Sequence, residues 1–355
     1  MIGGLGCPSR VRVAAPTRQQ RGMSLVELMV GIAIGLFVVA VMGVVYVGSK
    51  TTFVAQESGS RLQENGRFVM DTIANDLRMS GFRGCLGAAP LDNALNSPSA
   101  LLYNFVEPIW GSHASGSGWS PALPTPADGL AALPAGDVLV VRRPTGLGWA
   151  LIGEMASTAD ALTITPTTGF TQGDLLVVAD CAGGSALQAT NATPGADGRI
   201  AHVAGAGGVS PGVSRNTLGR VFSNDARVWR MQTLIYYLAA SARRSGETAL
   251  WVYVSPAYDG AAQSSELVTG VERMALTFGV DTDGDFAADR FQSADQVSSW
   301  SQVVAARIEL VLVGNSDTRT TVIQPYAFGG QTVTPTDQRQ RSVMSMLVSL
   351  RNAVP

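Results

Sequence analysis

Four carboxylates fall within nine residues, at Asp281, Asp283, Asp285 and Asp289, positions 1, 3, 5 and 9 of the run DTDGDFAAD. Oxygen donors at that spacing can wrap one hard cation, so calcium is the cofactor this loop suggests. Two positions depart from an EF-hand-like loop: Phe286 stands where a glycine is expected and Gln292 where a bidentate glutamate is expected. The run also follows a strand-like segment, and Asp-Gly is a strong hairpin signal, so a solvated turn stands as an open alternative. A fifth acid, Glu27, lies at the start of a long apolar run. A carboxylate costs about 2.5–3.5 kcal/mol at a bilayer centre, and less near the interface, unless a cation meets it. Glu27 therefore either snorkels to the headgroups or has a positive partner.

The remaining combinations do not add up to a catalytic set. Gly208-Val209-Ser210-Pro211-Gly212 spells GxSxG, but a nucleophile elbow needs a backbone N–H directly after the serine, and Pro211 has none. His202 precedes the serine, whereas in a hydrolase of this type the histidine follows serine and acid. No P-loop and no HExxH occurs, and catalytic residues are not expected. Only two histidines and three cysteines are present, which excludes a His-rich metal centre and a four-cysteine zinc site. Net charge is −2, yet residues 1–22 hold four arginines (Arg10, Arg12, Arg18, Arg21) and no acid, leaving 21 basic against 27 acidic side chains in the rest. An acidic body of that kind argues against nonspecific nucleic-acid binding as the main activity, and no sequence-specific nucleic acid is expected as a partner.

These groups must be placed by two very different kinds of segment. Leu28 to Ser49 is 22 residues without a charge. As a helix it would span about 33 Å, the thickness of a bilayer core, and it is too long for an ordinary secretory signal. The arginines precede it, so the leader belongs in the cytoplasm and everything after Lys50 across the membrane. No proline occurs between Pro16 and Pro90. Leu62, Val69, Ile73 and Leu77 recur on one helical face, with Glu57, Arg61, Glu64, Arg67 and Asp76 available for the others. A helix over 23–80 is predicted, with a transmembrane half at 25–49, an amphipathic half at 50–80 and a stop at Ser80-Gly81.

The motif Gly22-Met23-Ser24-Leu25-Val26-Glu27-Leu28, behind a short basic leader, resembles the processing signal of type IV prepilins and pseudopilins. The resemblance implies that a prepilin peptidase cuts between Gly22 and Met23 and methylates the new N-terminus. Residues 1–22 would be the removed leader, and Glu27 the fifth residue of the mature chain. It further implies that Glu27 meets the N-terminal amine of a neighbouring subunit, which supplies the missing cation. Met23 stands where phenylalanine is commoner. Cys7 would leave with the leader, so Cys85 and Cys181 remain as an even pair in an oxidising compartment, and a disulfide between them is expected, with two buried thiols as the alternative.

Beyond residue 81 the sequence changes to short β-branched runs. They fall at Asp137–Arg143, Ala161–Thr165, Asp174–Ala179, Arg227–Leu238, Ala249–Val254, Val271–Val280, Val303–Val313 and Ser342–Leu350. Residues 90–136 and 182–219 are rich in Gly, Ala, Ser and Pro and read as surface loops, so residues 81–355 form a β-rich head with a variable insertion at about 90–225. The expected class is α+β: one long N-terminal helix packed on an antiparallel sheet. The segments GVERMALTFGVDTDGD, VVAARIELVLV and QRSVMSMLVSLRN in the last third are similar to the PilW family of type IV minor pilins, and the likeness covers about residues 18–85 and 267–352. It implies a non-enzymatic subunit that joins other minor pilins and the major pilin in the inner membrane, primes assembly and sits at the fibre tip, next to any tip adhesin. Two other readings stand beside it: a J-type pseudopilin of type II secretion, and a membrane-tethered calcium-dependent adhesin.

Overall fold

The computed structural model describes residues 22–87, 89–256, 262–314, 320 and 322–352. The leader, with its four arginines and Cys7, lies outside the described residues apart from Gly22. An unbroken helix, α1, runs from Leu25 to Met79. No proline interrupts it, and in its apolar half, rich in valine and glycine, every backbone group beyond the first turn is satisfied within the helix itself. It stops where expected: Gly81 takes φ +67°, a left-handed conformation that suits glycine. The Ser80 hydroxyl donates to the Leu77 carbonyl at 2.7 Å. Asn352, near the far end of the chain, donates to the carbonyls of Arg78 and Ser80 at 2.9 and 3.0 Å. The helix terminus is thus satisfied by a residue some 270 positions away.

The chain divides into two units at Val54 and Ala55. In the first, every described side chain is exposed. The second holds the rest of α1 and two principal sheets. The larger has the order Leu91–Asn93, Gly184–Gln188, Leu175–Ala179, Arg227–Ala240, Val138–Ala150, Ile109–Ala114, Trp119–Ser120. Strand Thr248–Ser255 pairs with Arg227–Ala240 as well and carries Gln263–Thr269 on its other side. All pairs are antiparallel except the short one between Leu91–Asn93 and Gly184–Ala186. The smaller sheet, also antiparallel, has the order Arg290–Gln292, Val271–Val280, Val303–Val313, Arg341–Ser349. The α+β class and the eight predicted strands are present, most within two residues of their expected ends.

The main core joins both sheets to the helix. Leu62, Val69, Met70, Ile73, Ala74 and Leu77 of α1 pack with Leu139, Tyr236 and Leu250 of the larger sheet and with Leu276, Phe278, Ile308 and Leu310 of the smaller. Fully burying each such aliphatic side chain is worth about 1.5–3 kcal/mol. The helix approaches closely at Gly66, where a Cβ would overlap the side chain of Met344. Asp137 fastens the sheets together. Its carboxylate accepts from Ala114 N–H of the larger sheet at 2.8 Å and from Leu276 N–H of the smaller at 2.7 Å. Burial pushes its pKa above the ordinary carboxylate value, against these donors and the adjacent His113.

The turn-rich segments hold more structure than loops. Strands Leu91–Asn93, Ile109–Ala114, Trp119–Ser120, Gly184–Gln188 and Arg199–Ile200 lie in them. A second core gathers Leu86, Leu95, Phe105, Leu176, Phe222 and Trp229. Small residues are what this packing needs: a Cβ at Gly184 would come within 2.9 Å of both Leu86 and Leu91. Such residues carry no hydrophobic periodicity, so the sequence pattern is silent there. Two buried arginines hold the segment 101–107. Arg142 donates to the carbonyls of Leu101 at 2.7 Å and Glu107 at 2.7 Å, and Arg83 donates to the carbonyl of Phe105. Burial lowers both guanidinium pKa values to about 10.

Candidate functional site

The N-terminal unit holds the residues that the prepilin resemblance singles out, Gly22, Met23 and Glu27. Gly22, Met23 and Ser24 precede α1, and Leu28 N–H bonds to the Ser24 carbonyl at 3.1 Å to start it. Glu27 stands in the first helical turn and is exposed. An acid there suits the positive end of the helix dipole. From Leu25 to Val47 the exposed side chains are apolar or small on every face, Glu27 alone excepted. A helix apolar all round is a segment built to be surrounded by lipid or by other helices, not by water. Among the described residues it is the one helix long and apolar enough to cross a membrane. Near the polar end, Thr51 and Thr52 return their hydroxyls to the carbonyl of Gly48 at 2.8 and 2.9 Å, so those polar groups are satisfied within the helix.

Cys85 and Cys181 are bonded, with Cα atoms 4.8 Å apart. Cys85 follows the end of α1 and Cys181 follows strand Leu175–Ala179. The bond therefore ties the helix exit to the larger sheet, as the cysteine count predicts.

The acidic loop separates into two parts. Asp281, Asp283 and Asp285 each offer an oxygen, and these atoms lie within 4.8 Å of one another. Asp289 is not in that group. It accepts from the N–H and hydroxyl of Thr282 at 2.7 and 2.6 Å, and the hydroxyl first of all holds its pKa below the ordinary value. Asp281 is buried and organises the turn, accepting from Gly284 N–H at 2.7 Å and Phe286 N–H at 2.9 Å. Phe286 adopts φ +67°. That is the sharp turn for which an EF-hand-like loop uses glycine, here achieved by a phenylalanine. The all-oxygen donor set has the chemistry of a hard-cation site, but exposed acids also cluster without one. No cofactor is established by it.

Ser210 has no elbow around it. Its carbonyl accepts from Gln188 Nε2 at 2.9 Å, and residues 204–220 form turns and bends rather than a strand–helix junction. His202 is buried, and burial lowers its pKa. Trp110 and His113 lie on strand Ile109–Ala114 rather than in a loop, and Trp110 packs against Trp300 with ring centroids 6.2 Å apart.

Sequence reasoning leaves one polar group in the wrong place. Asp76 is expected off the apolar face of the helix but is buried. Its carboxylate meets Arg143 Nε at 2.6 Å and accepts the phenolic O–H of Tyr236. The signal was available: Asp76 lies three residues after Ile73 and directly before Leu77, inside the apolar stripe.

Residues 235–352 match the model of the family described as Type IV Pilus-assembly protein W, and residues 17–43 match the prokaryotic N-terminal methylation motif. The first match begins within strand Arg227–Ala240 and takes in the whole smaller sheet. The second covers the end of the expected leader, Gly22, Met23, Glu27 and the first turns of α1. No curated protein matches the chain, and no solved structure does.

Proposed function

We infer that this chain, which the two matched regions support as a PilW-type minor pilin of the type IV pilus, acts as a structural subunit of the fibre and not as an enzyme. The single observation that carries the reading is Glu27, the one charge in a helix otherwise apolar from Leu25 to Val47, beside a methylation motif. A prepilin peptidase removes residues 1–22 on the cytoplasmic side of the inner membrane and methylates Met23. The apolar half of α1 stays in the bilayer and the head lies in the periplasm. On assembly, Glu27 pairs with the N-terminal amine of an adjacent subunit, and the apolar helices pass from lipid into the fibre core. The energetic logic is that a carboxylate in hydrocarbon is tolerable only with a cation at hand. The chain joins other minor pilins to prime assembly, goes out at the fibre tip with the major pilin behind it, and so supports twitching, adhesion or DNA uptake.

Mass spectrometry of the N-terminus of the mature protein tests processing directly, with methylated Met23 expected and a chain still starting at Met1 refuting it. For assembly, Glu27→Ala should be cleaved normally yet fail to enter fibres. Normal incorporation of that variant would overturn the pairing role.

A further inference from the structure

Strand Arg341–Ser349 lies at one edge of the smaller sheet, and among the described residues no strand pairs with its outer side. Its inner side pairs without a break or bulge, from Arg341 opposite Val313 to Ser349 opposite Ala305. The hydrogen-bond phase can be read from the two ends. Gly314 N–H bonds to the Gln340 carbonyl at 2.8 Å, and Leu350 N–H bonds to the Val304 carbonyl at 2.8 Å. Antiparallel partners alternate between bonded and non-bonded pairs, so the even-numbered residues turn their backbone groups to strand Val303–Val313. Val343, Ser345, Leu347 and Ser349 therefore turn N–H and C=O outward.

The other edges are guarded. On the far side of the same sheet, Met274 and Leu276 are capped by Asp137, through Asp137 N–H to the Met274 carbonyl at 3.0 Å and Leu276 N–H to the Asp137 carboxylate at 2.7 Å. The rest of that side is taken by the three-residue strand Arg290–Gln292. The larger sheet ends in strands of two and three residues, Trp119–Ser120 and Leu91–Asn93, and in Gln263–Thr269, whose pairing carries a register shift and which holds Glu266. Short strands, bulges, charges and prolines are the usual protections of an edge. Residues 342–349 have none of them, and Leu347 is 51% exposed.

We propose that the outer edge of strand Arg341–Ser349 is a docking site for an extended strand supplied by a different subunit of the fibre. A row of alternating donors and acceptors at strand spacing is matched by a peptide backbone. The uncharged stretch from Ser342 to Ser349 calls for an uncharged segment, with apolar side chains against Val343 and Leu347. The proposal rests on the assembly role inferred above and names the contact that accompanies the Glu27 pairing.

The test uses the full-length gene in cells, read by fibre incorporation. Ser345→Pro deletes an outward N–H that the protein's own sheet does not use, a position where an edge strand tolerates proline. Leu347→Lys adds a guarding charge. Both should melt like the wild-type protein in detergent yet enter fibres less by on the order of tenfold, the scale set by one backbone acceptor left unpaired in the partner. A photo-crosslinking amino acid at Leu347 in the otherwise unaltered chain should give a crosslinked peptide from another pilus subunit. If deleting the gene impairs fibres but both variants restore them fully, the edge is overturned while the assembly role stands. Crosslinks confined to a second copy of this chain, or to no protein, overturn it as well. If deleting the gene leaves fibres intact, the assembly role falls and the edge proposal with it.

Discussion

Tyr236, in the middle of the larger sheet, donates its phenolic O–H to Asp76 on α1, while Arg143 grips the other oxygen of the same carboxylate at 2.6 Å. One acid thus links the helix to two neighbouring strands inside the main core. Burial first, and the charge of Asp76 second, push the tyrosine pKa well above its ordinary value, so the phenol keeps its proton and remains a donor.

The triad predicts an ordering of variants. Tyr236→Phe removes one hydrogen bond to a charged acceptor and should cost about 1.5–3 kcal/mol. Asp76→Ala leaves a partly buried guanidinium and a buried hydroxyl without their acid, and should cost more, about 3–5 kcal/mol. Denaturant unfolding of the variants checks the order. Equal costs would mean that Arg143 finds water when Asp76 is removed.

The bond between Cys85 and Cys181 closes a loop of sequence separation 96. In the chain-entropy view a loop of that length is worth up to about 4–5 kcal/mol, and often less in practice. The Cys85→Ser/Cys181→Ser double variant should unfold at lower denaturant by the equivalent of about 2–4 kcal/mol. Adding reductant to that variant should change nothing further.

Calcium is tested on the acidic loop by calorimetry of the full chain in detergent. If Asp281, Asp283 and Asp285 hold the ion, binding should be weak, with a Kd of roughly 10⁻⁴–10⁻³ M. Asp283→Ala should abolish the heat, whereas Asp289→Ala should leave most of it, since Asp289 faces Thr282 outside the cluster. No heat from the wild-type protein removes calcium from the account.

Glu266 predicts an acid-side loss of stability. Burial alone would raise its pKa, but the hydroxyls of Thr269 and Ser241 and the N–H groups of Ala242 and Arg243 together hold it below the ordinary glutamate value. A depressed folded-state pKa means stability present above the unfolded value and lost as pH falls through the folded one. Stability measured against pH should therefore fall less steeply on the acid side in Glu266→Gln than in the wild-type protein. Identical acid limbs would refute the assignment.

The elements legible in the sequence are those whose cause is local. The apolar run from Leu28 to Ser49, the Gly22-to-Glu27 motif and the stop at Ser80-Gly81 lie in short windows, and hydropathy and cap chemistry act there directly. Strands Val271–Val280 and Val303–Val313 were readable to the residue because their β-branched, alternating pattern is itself the reason they pair. The pairing of Cys85 with Cys181 was expected once the prepilin resemblance set Cys7 aside with the leader and left an even pair. What tertiary structure decided depends on neighbours distant in the chain. Asp76 is inside because Arg143 and Tyr236 come to meet it. Gly184–Gln188 is a strand because small residues fit beneath Leu86 and Leu91, although nothing periodic marks them. The acidic loop parts Asp289 from the other three because Thr282 satisfies it first. Whether a strand ends as a guarded or an open edge is set by what the rest of the fold lays against it, and no local window of sequence carries that information.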